Sequence, residues 1–392
     1  MNKTVSLLAV ILLTIPGILR AQSAFSGAYI GRVTTQERSS EQYMRLYNRV
    51  ILRYEPSQAF GVRTALRRAD FFQEETNSTH IYYGYVYWEP MSALNITAGR
   101  QYPYTKMIRR AVDGGSFELQ FLPRWSLEGL AGIFAPEDRA GIVDNPEDEH
   151  GSYLALRYQD EQNVGARASV YQRVSAGRIQ NFVGLDARVP SLFGTSLYGF
   201  AKYNYTESIL QEAEGQLRRE FGDKFILTVD AKYRDPSYDI PVWYWQFAVE
   251  PYSTARIGID YWVTNTKSMT AEYFTRILDE KIIHRYRLGF LALNWTFGVV
   301  MANDDQNETS ELNIYGSLQH RFGSKLLVGA GANYFDYVFQ EEYEEPLNAY
   351  GVQVFTKYRI LDALTAGVRG YYFINGVYSN DIRALGELSY HF

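Results

Sequence analysis

The sequence predicts an all-β fold, a transmembrane antiparallel up-and-down β-barrel of about 18–22 strands that follows a cleaved signal peptide. Three observations lead to this prediction. Segments that alternate apolar and polar residues recur from Ser26 to Phe392, tight turns alternate with longer polar connections, and the chain ends in an amphipathic aromatic segment. Alternation gives each strand one apolar and one polar face, and pairing the last strand with the first leaves no unpaired edge.

The amino end has the composition of a secretory signal peptide, which we predict at residues 1–21. Lys3 precedes an apolar run over residues 5–15, and Ala21 supplies the small residue expected at the cleavage site. An apolar run of about 11–15 residues is short for a membrane helix, which needs about 20. The barrel is therefore expected to occupy residues 22–392 as a single domain, with no room for a large amino-terminal plug.

Short turns and longer connections alternate along the chain, which is typical of a barrel with periplasmic turns and extracellular loops. Residues 267–278 are either a further membrane strand or part of an outward hairpin. Treating them as extracellular gives about 22 strands, and other groupings give about 18 or 20. A soluble sandwich or propeller also alternates, but it explains neither the terminal segment nor the turn asymmetry. The predicted turns are 56–58, 90–92, 123–125, 160–162, 222–223, 251–253, 323–324 and 361–362, and the predicted connections are 73–79, 103–115, 134–150, 235–239, 303–309, 338–346 and 376–379.

The last twelve residues carry a resemblance to a known family. From Ile382 onward every second residue is apolar, small or aromatic, and the chain stops at Phe392 with Tyr390 two residues earlier. This ending resembles the assembly signature of bacterial outer-membrane β-barrels, the porin-like channels among them. The resemblance implies an outer-membrane protein of a Gram-negative bacterium. Its expected partners are outer-membrane lipid, lipopolysaccharide and the barrel assembly machinery.

A second, shorter resemblance lies near residue 100. Gly99-Arg100-Gln101, followed by Val112-Asp113-Gly114-Gly115, is similar to a segment of porin-like and polysaccharide-export barrels over about twenty residues. Between the two parts lies a basic stretch with Lys106, Arg109 and Arg110. This stretch either folds inward and narrows the pore or stays outside, where it would meet lipopolysaccharide phosphates.

Five arginines are predicted to line one wall of the lumen. Three share one phase of a strand and two share one phase of the next, across the turn at 56–58. Arginine ladders select anions in pores because the guanidinium stays charged and binds carboxylate or phosphate. The alternative is ion pairing with lumen acids such as Glu212, Glu214 or Glu387. The five are Arg45, Arg49, Arg53, Arg63 and Arg67.

Composition excludes several other functions. Cysteine is absent, which rules out disulfides, Cys-ligated zinc and haem attached through Cys-x-x-Cys-His. The net charge of −5 gives no basic field for nucleic acid. No metal site is predicted, since the acidic stretches 134–150 and 340–345 lack EF-hand spacing, and no cofactor is expected. The 33 Tyr, 22 Phe and 6 Trp suit the aromatic girdles of a membrane barrel.

The sequence also predicts that the protein is not an enzyme. Its five histidines fall on distant segments, and no nucleophile elbow, His-Glu-x-x-His pair or phosphate-binding glycine loop is present. We therefore predict a channel for passive passage of small hydrophilic solutes, with a bias toward anions. One alternative is a sheath for a partner in the lumen, such as a multihaem cytochrome or a polysaccharide-export complex. The other is a surface receptor or adhesin. The histidines are His80, His150, His284, His320 and His391.

Overall fold

The structure is a computed structural model of the 392-residue chain. The predicted signal peptide at 1–21 and most of the two acidic stretches, 136–148 and 340–345, fall outside the described residues. The signal peptide therefore stays a prediction. The structure describes residues 24–38, 41–72, 76–103, 105–135, 149–175, 177–236, 250–279, 281–305, 310–337, 347–375 and 381–392.

The described residues form 22 strands in one sheet, and each strand pairs with its neighbours in antiparallel register. Within the same part of the chain, no helix has the length and apolarity needed to cross a membrane. The strands are β1 (Phe25–Arg38), β2 (Glu41–Ser57), β3 (Phe60–Phe71), β4 (Thr76–Met91), β5 (Leu94–Gln101), β6 (Val112–Leu122), β7 (Trp125–Phe134), β8 (Glu149–Gln159), β9 (Gly165–Ser175), β10 (Arg178–Leu192), β11 (Thr195–Asn204), β12 (Ile209–Phe221), β13 (Phe225–Arg234), β14 (Tyr252–Thr264), β15 (Lys267–Ile277), β16 (Ile282–Ala292), β17 (Trp295–Asp304), β18 (Ser310–Phe322), β19 (Leu326–Tyr337), β20 (Leu347–Leu361), β21 (Leu364–Asn375) and β22 (Asp381–His391).

The sheet closes on itself through β1 and β22, as the terminal segment predicted. Tyr29 is the register partner of Tyr390, and the rings of Phe25 and Phe392 stack with centroids 6.0 Å apart. Gly27 permits this approach, because a Cβ there would lie 2.7 Å from the Phe392 ring. Closure removes both edges of the sheet, and membrane-spanning strands need this because lipid cannot satisfy backbone hydrogen bonds.

The two faces of the wall follow the predicted alternation. On β10 the side chains of Ile179, Val183 and Leu185 are 55%, 43% and 58% exposed on the outer face. On the inner face of β13 and β14, which pair with each other, Asp230 and Arg256 form an ion pair at 2.5 Å. An apolar exterior and a charged interior are the surfaces that a barrel in lipid with a hydrated lumen requires.

Two sequence interpretations are wrong. Residues 251–253 are not a turn on the rim that carries Phe392, because Pro251 precedes β14 on the opposite rim. Proline lacks an N–H and fits at the start of a strand as well as in a turn, so Pro251 indicated a turn where a strand begins. Residues 267–278 are not an outward hairpin, since β15 pairs with β14 and β16 along its length.

Candidate functional site

The described residues of the connection between β5 and β6, 102–103 and 105–111, lie against the inner face of the barrel; this connection is called loop 102–111 below. Three of its cations reach carboxylates on the inner wall, and Glu212, which is 2% exposed, also holds Lys232 at 3.1 Å. The loop is thereby tied to β12, the sixth strand beyond β6. The pairs are Lys106 with Glu214 on β12, Arg109 with Glu212 on β12, and Arg110 with Glu149 on β8, the last at 2.6 Å.

Apolar burial holds the middle of the same loop. Met107 and Ile108 are 4% and 2% exposed and join a cluster that includes Val112 and Phe200. Met107 lies over Gly184 on β10, where an added Cβ would stand 2.3 Å from the Met107 sulfur. Burying two such side chains contributes roughly 1.5–3 kcal/mol each. The loop is therefore packed onto the wall as well as ion-paired to it.

Lys106 keeps its positive charge in this position. Its Nζ lies 4.8 Å from the centroid of the Tyr198 ring. Burial lowers the pKa of Lys106, but hydrogen bonds with Glu214 and Tyr198 raise it by more, so the net pKa is above its ordinary value. The tether to Glu214 is thus fully charged at neutral pH.

The motif that brackets the loop joins the ends of β5 and β6. Arg100, whose side chain is 9% exposed, donates two hydrogen bonds to Asp113 at 2.7 and 2.6 Å. Gly99 has φ +122°, and a Cβ there would stand 2.3 Å from the carbonyl oxygen of Gly84. The strand end can therefore take this conformation only with glycine, and the Arg–Asp pair fixes the base from which the loop turns inward.

The five predicted arginines lie together on the inner faces of β2 and β3. Arg49 is the register partner of Arg67, and Arg53 is the register partner of Arg63. Like charges placed opposite each other repel, and aromatic rings of the same wall hold four of the five through cation–π contacts. The contacts to ring centroids are Arg45 to Phe71 at 5.1 Å, Arg49 to Tyr82 at 5.2 Å, Arg67 to Tyr82 at 5.5 Å and to Tyr47 at 5.8 Å, and Arg63 to Tyr87 at 5.0 Å.

Ion pairing accounts for only one of these arginines. Arg63 binds Glu55 at 2.7 Å, whereas the other four have no carboxylate partner within the described part of the chain. The acids predicted as partners are engaged elsewhere, because the two β12 glutamates hold the loop and Glu387 binds Arg32 at 2.6 Å. The Nε atom of Arg67 is buried and has no hydrogen-bond partner among the described residues.

Sequence reasoning missed three residues that shape the lumen. Glu149 was counted with an acidic loop but begins β8 and receives the Arg110 side chain. Gly184 forms the seat for Met107, and Lys202 is 4% exposed beside aromatic rings. A glycine between Phe182 and Asp186 on the lumen phase was a usable signal, because glycine inside a strand often marks a close approach.

The closed 22-strand barrel, its apolar exterior and its charged lumen define a transmembrane β-barrel of the outer-membrane type. No protein-family model matches the sequence, and no curated protein matches it either. Among solved structures, the P pilus usher (PapC) translocation pore is similar with a TM-score of 0.54 and 7% identity, over 94% of this chain and 99% of that one. OccK9 (OpdG) of Pseudomonas aeruginosa is similar with a TM-score of 0.43 and 11% identity, over 94% and 97%. At such identities the likeness shows the fold alone.

Proposed function

We propose that this barrel is a passive outer-membrane channel for small hydrophilic solutes and that it favours anions. The observation that carries the proposal is the set of three arginines, Arg45, Arg49 and Arg67, that contact aromatic rings and have no carboxylate partner among the described residues. Guanidinium groups held in this way keep their hydrogen-bonding edges and full charge available to solutes. Arg45, Arg49 and Arg53 are exposed, and the cations of loop 102–111 pair with β8 and β12 on a different part of the wall.

The size of the expected selectivity follows from Coulomb's law. At about 10 Å in water, one unit charge changes the energies of an anion and a cation by about 0.4 kcal/mol in opposite directions. Removing one arginine should therefore change the anion-to-cation permeability ratio about fourfold at low salt, and less once screening sets in.

Reversal potentials in planar bilayers under a potassium chloride gradient test this proposal. Arg49→Gln, and Arg49→Gln combined with Arg67→Gln, should reduce anion preference stepwise. Arg124→Gln is the matched control, because it removes a guanidinium from an exposed turn, 3.4 Å from Glu161. A parent channel with no anion bias, or an Arg124→Gln variant with the same loss as Arg49→Gln, contradicts the proposal.

The alternative functions have less support among the described residues. A sheath for a partner protein needs lumen space on the side where loop 102–111 packs. A receptor or adhesin would act through the acidic connection 136–148, which lies outside the described residues.

A further inference from the structure

Two arginines of the lumen wall lie directly opposite each other on paired strands. Arg49 on β2 is the register partner of Arg67 on β3. Side chains at such positions leave the sheet with Cβ atoms about 4.5–5.5 Å apart, and like charges placed there repel. Neither arginine has a carboxylate partner within the described part of the chain. The pair therefore concentrates two positive charges at one point of the wall.

One tyrosine ring holds both guanidinium groups of this pair. The Cζ atom of Arg49 lies 5.2 Å from the centroid of the Tyr82 ring, and the Cζ atom of Arg67 lies 5.5 Å from it. Arg67 also lies 5.8 Å from the centroid of Tyr47. A cation–π contact does not occupy the N–H donors along the edge of a guanidinium. The rings therefore position the two groups and leave donors for a ligand.

The hydrogen bonding of Arg67 is incomplete. Arg49 is exposed to the lumen, whereas Arg67 is only partly exposed. The Nε atom of Arg67 is buried and has no hydrogen-bond partner among the described residues. A buried N–H group without an acceptor is costly, and the cost is larger when the group is charged. An acceptor that enters from the lumen would therefore be bound at this arginine.

We infer that Arg49 and Arg67 together bind a phosphate group that carries two negative charges, either as the free ion or as a phosphate monoester. Such a group has enough oxygens to accept hydrogen bonds from both guanidinium groups, and its two charges neutralise both arginines. A single carboxylate carries one charge and neutralises only one of them. The inference deepens the proposed anion channel and rests on it for the lumen through which the phosphate arrives.

Block of the chloride current through single channels in planar bilayers tests the inference. The measurement is made at pH 8 and about 0.1 M potassium chloride, where screening acts over about 10 Å. Inorganic phosphate and methyl phosphate carry mostly two negative charges at this pH, and dimethyl phosphate carries one at nearly the same shape. Inorganic phosphate should block at a concentration at least tenfold lower than dimethyl phosphate. Equal block by these two anions, or no block by inorganic phosphate, overturns the inference.

Methyl phosphate distinguishes the two forms of the ligand. Block by methyl phosphate at the concentrations that suffice for inorganic phosphate supports a site that accepts phosphate monoesters. Block by inorganic phosphate without block by methyl phosphate supports a site for the free ion, because the ester oxygen then takes the place of an oxygen that the two arginines need.

Variants of the pair locate the site, and a third arginine gives the matched control. Arg49→Gln and Arg67→Gln should each raise the blocking concentration of inorganic phosphate at least tenfold. Arg369 on β21 also lies over two rings, at 5.5 Å from the centroid of Phe355 and 5.9 Å from that of Tyr371. Its register partners are Phe355 and Leu385, so no cation stands opposite it. Arg369→Gln should therefore be blocked like the parent.

Folding is checked for each variant by heat-modifiable migration on gels. If one variant of the pair does not fold, the other still tests the site, because each removes one of the two charges. Folded Arg49→Gln and Arg67→Gln channels that are blocked like the parent overturn the inference. An equal loss of block in Arg369→Gln also overturns it, since phosphate would then respond to the charge of the whole lumen.

Reversal potentials separate this inference from the proposed function. Arg49→Gln and Arg369→Gln each remove one lumen charge, so both should reduce the anion bias, but only Arg49→Gln should lose the block by phosphate. An anion-selective parent that phosphate does not block overturns the phosphate site alone. Block that depends on Arg49 in a parent without anion bias supports the phosphate site and overturns the channel selectivity.

Discussion

The seat of Met107 on Gly184 gives the sharpest test of how the inward loop is held. Gly184→Val leaves every charge of the loop and of its carboxylate partners in place. The new Cβ would stand 2.3 Å from the Met107 sulfur and 2.7 Å from the Ser169 hydroxyl oxygen. Met107 is 4% exposed, so it has little room to move without leaving the wall. We expect the valine to displace Met107 and with it the loop.

The magnitude follows from the cost of crowding Met107 or of displacing it. Overpacking at a tight contact costs roughly 1–3 kcal/mol, and loss of the Met107 burial costs roughly 1.5–3 kcal/mol. The two costs are alternatives, because Met107 either stays and is overpacked or leaves and loses its burial. Either cost, at about 2 kcal/mol, shifts the docking equilibrium of the loop roughly thirtyfold, since each 1.4 kcal/mol is a factor of ten. The pairs of Lys106 and Arg110 are partly exposed and contribute only about 0–1 kcal/mol each. Glu212 is 2% exposed, but it keeps Lys232 as a partner when Arg109 leaves. The displaced state should then be populated.

Single-channel conductance in planar bilayers measures the outcome. Gly184→Val should give larger conductance steps or frequent transitions to a larger level, because the loop no longer narrows the lumen. Gly258→Val is the matched control, since it places the same side chain on the inner face of β14, where a Cβ meets nothing within 4 Å. If Gly184→Val conducts like the parent and like Gly258→Val, Met107 does not hold the loop or the loop does not narrow the path.

Three further predictions concern the base of the loop, the seam and pH. Asp113→Asn should lower the free energy of unfolding by about 2 kcal/mol, because Arg100, whose side chain is 9% exposed, loses its charged partner. Urea titration measures this change. Gly27→Val should lower the yield of heat-modifiable barrel, because its Cβ would stand 2.4 Å from a backbone oxygen of β2. The raised pKa of Lys106 keeps its tether charged below its ordinary value of 10.5 and releases it as pH rises through the folded-state pKa. Conductance should therefore stay constant between about pH 7 and 9 and rise only slightly at higher pH, because this partly exposed tether contributes about 0–1 kcal/mol.

Each of these three predictions has a control variant and a result that would contradict it. Arg124→Gln breaks an exposed pair and should change unfolding little; an equal loss in Asp113→Asn and Arg124→Gln contradicts the role of the loop base. A Cβ at position 386 would meet nothing within 4 Å, so Gly386→Val should fold normally. Poor folding of both glycine variants would contradict the role of Gly27 in the pairing of β1 with β22. Lys106→Met should abolish the alkaline rise, and an unchanged rise in that variant shows that another group titrates.

Much of the fold followed from local pattern. The alternation predicted one apolar and one polar face for each strand, as β10 shows, and the terminal aromatic strand predicted the pairing of β22 with β1. Turns that lack proline, paired glycines or charged residues were harder to predict from the sequence. The turns at 193–194 and 293–294 begin with Phe193 and Leu293, which local composition does not distinguish from strand residues.

The candidate site was likewise only partly predictable from the sequence. The phase of Arg49 and Arg67 was readable, because period-2 alternation fixes the face of a side chain from its neighbours. The ion-pair partners of these arginines could not be predicted, because Glu212, Glu214 and Glu387 all fall in the inward-facing phase of their strands and were equally suitable. Only the register decides that Glu387 faces Arg32, and only loop packing decides that the two β12 glutamates meet Arg109 and Lys106.

The sequence by itself determined the class of fold, the compartment and the inward-facing side chains, because these depend on a repeat of two residues and on the chemistry of the last strand. The tertiary structure decided where the loop 102–111 lies, which cations are neutralised and where a cavity forms between the loop and the wall. These depend on contacts between the loop and β12, which are about a hundred residues apart in the chain. No local pattern encodes which of several equivalent carboxylates a distant loop will meet.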